Sequence, residues 1–300
     1  MDNATASRHS AIETLRAYYM LTKPGIIRGN ILTAAAGFLL ASQDSFNGLS
    51  FLAMATGLAL IIACGCVCNN YIDRDIDSKM DRTRGRALVS GAISERSALL
   101  YAAVLGVLGT AILITYTNPL AAALGVFGLI AYVVIYGVAK RRSLHGTAVG
   151  SISGAVPPVV GYTAASGRFD LAAGLLFIIL VLWQMPHFYA IAMYRMQDYK
   201  AAGIPVLPAV RGMQATKLQI ITYITAFTIV VAGLTLFGFT GYTYLAVSVL
   251  LGALWLRLGL QGLDKNTAAH DKKWARKMFG FSLVVLSVLS LVLSLNRFLP

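Results

Sequence analysis

The sequence predicts an all-α polytopic membrane protein with about nine transmembrane helices, and three observations carry that prediction. Of its 300 residues, 57% are hydrophobic and 12% charged, about half the charged fraction of a soluble domain. Apolar runs of about 20 residues recur along the whole chain, each long enough to cross a hydrocarbon core of about 30 Å. The basic residues fall on alternate connections, the pattern that orients a chain across a bilayer.

Taken in order, the apolar runs cover residues 24–42, 51–71, 97–116, 119–139, 146–165, 170–190, 218–238, 241–260 and 278–296. Breakers bound them: Thr117-Asn118-Pro119 separates the third from the fourth, and Gly238–Gly241 the seventh from the eighth. Residues 1–22 are a polar segment containing Arg8, His9, Glu13 and Arg16. They lack the short apolar core and cleavage site of a signal peptide. Residues 1–300 read as a single transmembrane domain.

With this assignment 23 of the 25 Lys and Arg residues face one side, and only Arg168 and Arg297 face the other. The rich side is the cytoplasmic one, which puts the N-terminus inside and the C-terminus outside. The net charge of +13 is therefore topological and does not call for nucleic acid. Cys64, Cys66 and Cys68 crowd into one apolar run, where helical geometry turns about 200° per step, so their thiols diverge. They read as small packing residues and not as a disulfide framework or metal site.

The polar chemistry concentrates where the second span ends. Asn69, Asp73, Asp77 and Asp81 stand at i, i+4, i+8 and i+12, and four of the chain's twelve acids lie within residues 73–81. If the helix continues, these groups line one face, drifting about 40° per step. Like charges at that spacing repel, so the ladder calls for a cation. Clustered carboxylate and amide oxygens suit Mg²⁺, which keeps waters and substrate phosphates in its shell. Arg82, Arg84 and Arg86 follow and can hold phosphate oxygens. Acids for a metal beside arginines for an anion is the composition a diphosphate requires. The competing reading is a solvated loop whose acids balance its arginines.

Asn69-x₃-Asp73-x₃-Asp77 followed by Arg82-Thr83-Arg84-Gly85-Arg86 resembles the first aspartate-rich motif of the UbiA superfamily of intramembrane prenyltransferases. Further matches are Thr22-Lys23-Pro24-Gly25, Gly154–Pro158, Trp183-Gln184-Met185-Pro186-His187, Asp198-Tyr199-Lys200 and Gly203–Pro208. These resemble the branch that farnesylates protohaem IX. Two departures stand out: Ala87 follows the arginines where Pro is common, and Ala202 replaces the second acid of Asp-x₃-Asp.

The resemblance implies a helical bundle around a central cavity, Mg²⁺ as cofactor, and farnesyl diphosphate and haem B as substrates. It implies farnesyl transfer to a haem vinyl group with addition of water, giving haem O. It assigns Asp73, Asp77, Asp198 and Lys200 to catalysis, with Asn69, Asp73, Asp77 and Asp198 toward the metal. Asn69, Arg82, Arg86, His187, Asn30 and Tyr199 are assigned to substrate. Asp198 and Lys200 then form an asymmetric half-site, one for metal or water and the other for phosphate. The implied location is a bacterial inner membrane, with the lipid bilayer and other haem-biosynthesis or oxidase-assembly proteins as partners.

Lesser residues carry two readings each. His187 is either a ligand or orienter of haem iron or an interfacial histidine bonded to a carbonyl. Asn30 is an intramembrane amide that needs a partner, which a cavity would supply. Trp183, Tyr189 and Tyr194 either shield an allylic cation or anchor helix ends at the interface. Two other functions compete: prenyl transfer to an aromatic acid or quinone precursor, and a carboxylate-coupled transporter. Transporters place their acids near the bilayer midplane, whereas these gather at cytoplasmic helix ends.

The orientation is testable. Cysteines introduced at Ser78 and Lys273 should react with an impermeant thiol reagent from the cytoplasmic face, and one at Ser45 from the outer face. Labelling of position 78 from outside would invert the topology and move the aspartate ladder to the opposite surface.

Overall fold

A computed structural model describes residues 2–42, 45–264 and 267–300, with side chains from residue 11 onward. Among the described residues there is no strand. The helices in the N-terminal part are α1 (Asp2–Leu21), α2 (Pro24–Ala41), α3 (Gly48–Ile72), the one-turn α4 (Arg74–Asp77) and α5 (Glu95–Tyr116). Next come α6 (Pro119–Ile130), a π-helical stretch at Ala131–Tyr136, α7 (Gly137–Arg142), α8 (Gly146–Gly154) and α9 (Val156–Ser166). Then follow α10 (Leu171–Tyr194), α11 (Met196–Ala201), α12 (Leu207–Val210), α13 (Gly212–Val231), α14 (Gly233–Leu236), α15 (Tyr242–Leu260) and α16 (Ala268–Ser294).

Eight of the described helical stretches are long and apolar enough to cross a membrane, α6 to α7 counting as one. The span expected at 146–165 is instead two short helices. Ala155 donates to the carbonyls of Ser151 and Ile152 and closes α8, and Pro157 and Pro158, lacking N–H groups, can only open a new helix. The polar N-terminal segment folds as well: α1 packs Ala17, Tyr18 and Leu21 onto the α3–α5 pair.

Short side chains set the closest helix contacts, as expected where lipid provides no hydrophobic drive between helices. A Cβ on Gly161 of α9 would fall 1.8 Å from the carbonyl oxygen of Ala34 in α2, and one on Gly37 would fall 2.1 Å from that of Pro158. Both obstacles are backbone, which cannot move aside. This crossing seats α2, whose first turn leads into the site. Larger apolar residues fill the second half, where Trp183, Phe227, Trp255 and Met278 join α10, α13, α15 and α16 in one core. An apolar cavity lies beside that core, lined by Thr33, Pro158, Leu180, Trp183 and Tyr244 among others.

One ion pair is buried away from the aspartate ladder. Lys217 of α13 meets Asp271 of α16 at 2.7 Å, tying the inner ends of these helices together.

The α2–α9 crossing yields a direct comparison. Gly161→Ala should sharply reduce the monodisperse fraction in size-exclusion chromatography of detergent-extracted protein. Gly174→Ala, at a position with nothing within 4 Å of the new methyl, should behave as wild type. Equal behaviour would mean that the crossing is not a tight contact.

Candidate active site

The aspartate ladder begins as the sequence predicts and then departs from it. Asp73 donates its backbone N–H to Asn69 O at 3.0 Å, and Asp77 to Asp73 O at 2.7 Å, so the i, i+4 spacing survives the joint between α3 and α4. Asp73 and Asp77 are 3% and 2% exposed, and Asn69 is buried with them. The helix then stops. Met80 bonds back to Asp77 O, and the Thr83 hydroxyl donates to the same carbonyl at 2.9 Å. Asp81 is consequently exposed and pairs with Arg84 at 3.5 Å. The continuous helix through Asp81 is thus corrected: the ladder has three rungs, because side-chain capping by Thr83 turns the chain after Asp77.

Two buried carboxylates at a membrane boundary need compensation, and it arrives from three segments. Lys140 of α7 bonds Asp73, and Arg86 bonds Asp77. Arg141 lies 3.6 Å from Asp73 while gripping Asp75 with both terminal nitrogens, at 2.7 and 2.9 Å. The Arg141 bonds hold the Asp75 carboxyl down at about 2. From the joint between α1 and α2, Lys23 donates to Asn69 Oδ1 at 2.7 Å, and Asn69 Nδ2 donates to Asp73 at 2.8 Å. Burial lowers Lys23 to about 8, with Asp73 opposing the shift and Arg86 and Lys140 adding to it.

Lys23 and Lys140 are the residues that sequence reasoning missed. Lys140 fits the orientation rule as one of the 23 basic residues on one side, yet it carries a further signal: Tyr132, Tyr136 and Lys140 repeat at i, i+4, i+8 out of an apolar span, as the acids do. The structure uses that spacing. Tyr132 and Tyr136 stack at 5.7 Å within the π-helical stretch, and Lys140 stands over the Tyr136 ring. π-helical turns are rare and concentrate at functional sites. Glycines of α8 allow the approach: a Cβ on Gly150 would meet the Tyr136 ring at 2.9 Å, and one on Gly146 would meet the Lys140 Cα at 2.8 Å.

The second polar loop comes to the first. Ile76 and Met80 pack with Ala202 and Ile204 in a small apolar cluster, so the position where an acid is expected is a contact between the loops. Tyr199 lies within electrostatic reach of Tyr136 and Arg82, and burial pushes its hydroxyl pKa up. Arg82 is exposed, and Arg86 is the arginine turned inward. Asp198 faces Arg195 at 3.7 Å, and Lys200 is exposed.

His187 and Asn30 take other surroundings. His187 Nδ1 is 2.7 Å from Ser282 Oγ, and its ring stacks on Trp183 and leans on Phe279. Trp183 donates to Ser282 O at 2.9 Å. Asn30 donates to Ile26 O in its own helix. Tyr189 is buried toward Tyr223 of α13, so Trp183 and Tyr189 join helices and do not anchor an interface.

Among the described residues no three of His, Cys, Asp and Glu gather as a metal cluster. The donor set nonetheless fits Mg²⁺: two carboxylates and an amide on successive turns, all oxygen, with Asp73 Oδ1 buried and making no hydrogen bond. A hard cation that takes much of its shell from water and phosphate needs no more from the protein. Nearby Lys23, Arg86, Lys140 and Arg141 supply the charge for an anion. The arrangement has the groups that a metal and an anion bound together would require.

The chain is similar to known proteins in sequence and in fold. Residues 30–294 match the UbiA prenyltransferase family. The protoheme IX farnesyltransferase of Protochlamydia amoebophila (strain UWE25) is 50% identical over 276 residues, covering 92% of this chain and 96% of that protein. A structure of digeranylgeranylglyceryl phosphate synthase superposes with a TM-score of 0.78 at 19% identity, covering 95% of this chain and 99% of that one. A UbiA homolog from Archaeoglobus fulgidus bound to GPP and Mg²⁺ superposes with a TM-score of 0.67 at 16% identity, covering 90% and 99%. The structural likenesses establish the shared fold.

Because Lys140 occupies Asp73, it competes with a metal for that carboxylate. Lys140→Met should therefore show Mg²⁺-induced thermal stabilisation at roughly tenfold lower Mg²⁺ than wild type, or ~1.4 kcal/mol, a fraction of the pair's Coulomb energy near a protein surface. An unchanged or higher Mg²⁺ requirement would separate Lys140 from the metal site.

Proposed function

The chain belongs to the UbiA prenyltransferase family, and on that premise we propose that it transfers the farnesyl group of farnesyl diphosphate to a vinyl group of protohaem IX, with addition of water, giving haem O. The carrying observation is the pair of buried carboxylates ringed by four cations from three segments. The relatives' shared name, protoheme IX farnesyltransferase, supports haem as acceptor over an aromatic acid or quinone precursor.

Breaking the allylic carbon–oxygen bond leaves a farnesyl cation and puts the bonding electrons on diphosphate. Asp73, Asp77 and Asn69 would hold Mg²⁺, whose charge stabilises the departing diphosphate. Arg86 and Lys140 turn from the aspartates, and Lys23 from Asn69, to phosphate oxygens, where preorganised cations lower the barrier most. Lys200 and Arg82, exposed on the adjoining loops, reach the outer face of the diphosphate, and Asp198 assists the metal from the second loop. Tyr132, Tyr136 and Tyr199 wall the place where the allylic cation forms, offering aromatic faces and excluding water. The vinyl π electrons form the new carbon–carbon bond, and water adds to the resulting porphyrin-side cation with loss of a proton. His187, with Trp183 and Phe279, offers a flat aromatic surface and an imidazole for the acceptor, and Asn30 lines the path from α2. Working in the inner membrane, the protein meets both amphipathic substrates at the cytoplasmic leaflet, toward which the basic loops point.

Purified protein incubated with protohaem, farnesyl diphosphate and Mg²⁺ should yield haem O by mass spectrometry. Prenylation of a phenolic acceptor with no change to haem would overturn the acceptor assignment. Asp73→Ala and Asp77→Ala should each cut turnover well beyond tenfold, more than about 1.4 kcal/mol of transition-state stabilisation, at normal membrane levels of protein. Lys200→Arg should retain partial activity, whereas Lys200→Ala should raise KM for farnesyl diphosphate. Wild-type behaviour of an Asp198→Ala/Lys200→Ala double variant at limiting substrate would reduce the second loop to scaffold.

A further inference from the structure

The joint between α1 and α2 is strained and occupies a functional position. Lys23 adopts φ 52°, ψ 66°, the described chain's one non-glycine residue with positive φ. It also precedes Pro24, where α-type backbone is disfavoured. A left-handed conformation without glycine costs roughly 1–2 kcal/mol and persists where the surroundings hold it. Two contacts hold it here. Asn70 Nδ2 donates to Leu21 O at 3.0 Å, clamping the end of α1 to α3, and Lys23 itself donates to Asn69. Adjacent residues of α3 thus grip the end of α1 and the cation beyond it.

The opposite face of α1 has no such explanation within the protein. Ile12, Leu15 and Tyr19 are 64%, 70% and 60% exposed and lie within about 60° of one another on the helix. Ala17, Tyr18 and Leu21 point the other way, into the bundle, where Tyr18 meets Tyr101 edge-on at 5.2 Å. Arg16 stands exposed at the edge of the apolar stripe.

We infer that α1 docks on the cytoplasmic leaflet through Ile12, Leu15 and Tyr19, with Arg16 on anionic headgroups, and that this docking holds Lys23 against Asn69. Three observations select lipid as the occupant. Only Thr22 and Lys23 separate α1 from the membrane-spanning α2, so the end of α1 lies within about 11 Å of the start of that span. Apolar side chains are likewise exposed on the spans that α1 leads into and packs against, Ile26 of α2 and Leu100 of α5. An apolar face carrying a basic residue is the composition of an interfacial helix. The bilayer surface thereby becomes part of the diphosphate site: an α1 lifted from lipid would release the strained joint and withdraw a cation.

A fluorophore on Leu15→Cys, in vesicles of phosphatidylcholine with and without phosphatidylglycerol, tests the docking independently of any reaction. Quenching by a nitroxide on the lipid chain, with protection from aqueous iodide and strengthened by phosphatidylglycerol, is the expected result; a probe on Glu13→Cys should be more open to iodide. Iodide quenching at position 15 would overturn the docking. Protection from both quenchers would too, since it would place protein over the face. The coupling to Lys23 rests on the proposed reaction and has its own measurement. Ile12→Glu/Leu15→Glu should raise KM for farnesyl diphosphate roughly tenfold, or ~1.4 kcal/mol, with little change in kcat, and should add nothing in a Lys23→Ala background. Additive effects of the two changes, or an unchanged KM, would sever α1 from the site.

Discussion

Asp73 and Asp77 are taken out of water where a membrane-spanning helix ends, and the protein meets the cost with cations drawn from distant parts of the chain. Lys23 comes from the entry to α2, Arg86 from the loop after α4, and Lys140 and Arg141 from the end of α7. Much of the N-terminal half can be understood as delivering these four groups. The α2–α9 glycine crossing seats the helix that begins beside Lys23. The π-helical stretch and the glycines of α8 let Tyr136 and Lys140 lie against the site. A site balanced internally in this way can exchange one set of ion pairs for another when a metal and a diphosphate enter, so little net charge need be desolvated during loading.

The two polar loops contribute unequally. The first carries the buried acids, and the second closes over it through an apolar contact of Ile76 and Met80 with Ala202 and Ile204. Ala202 is the physical reason for the asymmetry, since an acid there would place a charge among buried aliphatic side chains. What the second loop retains is polar: Tyr199 within electrostatic reach of Tyr136, Asp198 beside Arg195, and an exposed Lys200.

Features that depend on spacing along one helix were legible in the sequence. The three rungs Asn69, Asp73 and Asp77 required only helical periodicity, and the eight long spans required only hydropathy. Features that depend on where the chain turns were not. The fourth rung failed because Thr83 bonds back to Asp77 O, a contact six residues apart that periodicity cannot express. The fifth span broke at Ala155 because two prolines follow, a signal present in the sequence but outweighed there by apolar length. Lys140 and Lys23 were hidden for a third reason. A lysine at the end of a span fits the orientation rule equally well whether it faces lipid headgroups or a buried aspartate 67 residues away, and only tertiary structure separates the two. Cys66 shows the reverse case: it is buried as a packing residue should be, yet it lies one turn before Asn69 and senses Lys23 and Arg86.

The central claim is that the buried carboxylates and their cations form one metal-dependent diphosphate site. Calorimetric titration of the purified protein with inorganic diphosphate addresses it without haem, prenyl chain or turnover. Wild-type protein should bind diphosphate in the presence of Mg²⁺ and lose that binding when the metal is chelated, and Asp73→Ala and Asp77→Ala should fail to bind under either condition. Binding of equal strength without Mg²⁺, or undiminished binding in both aspartate variants, would contradict it.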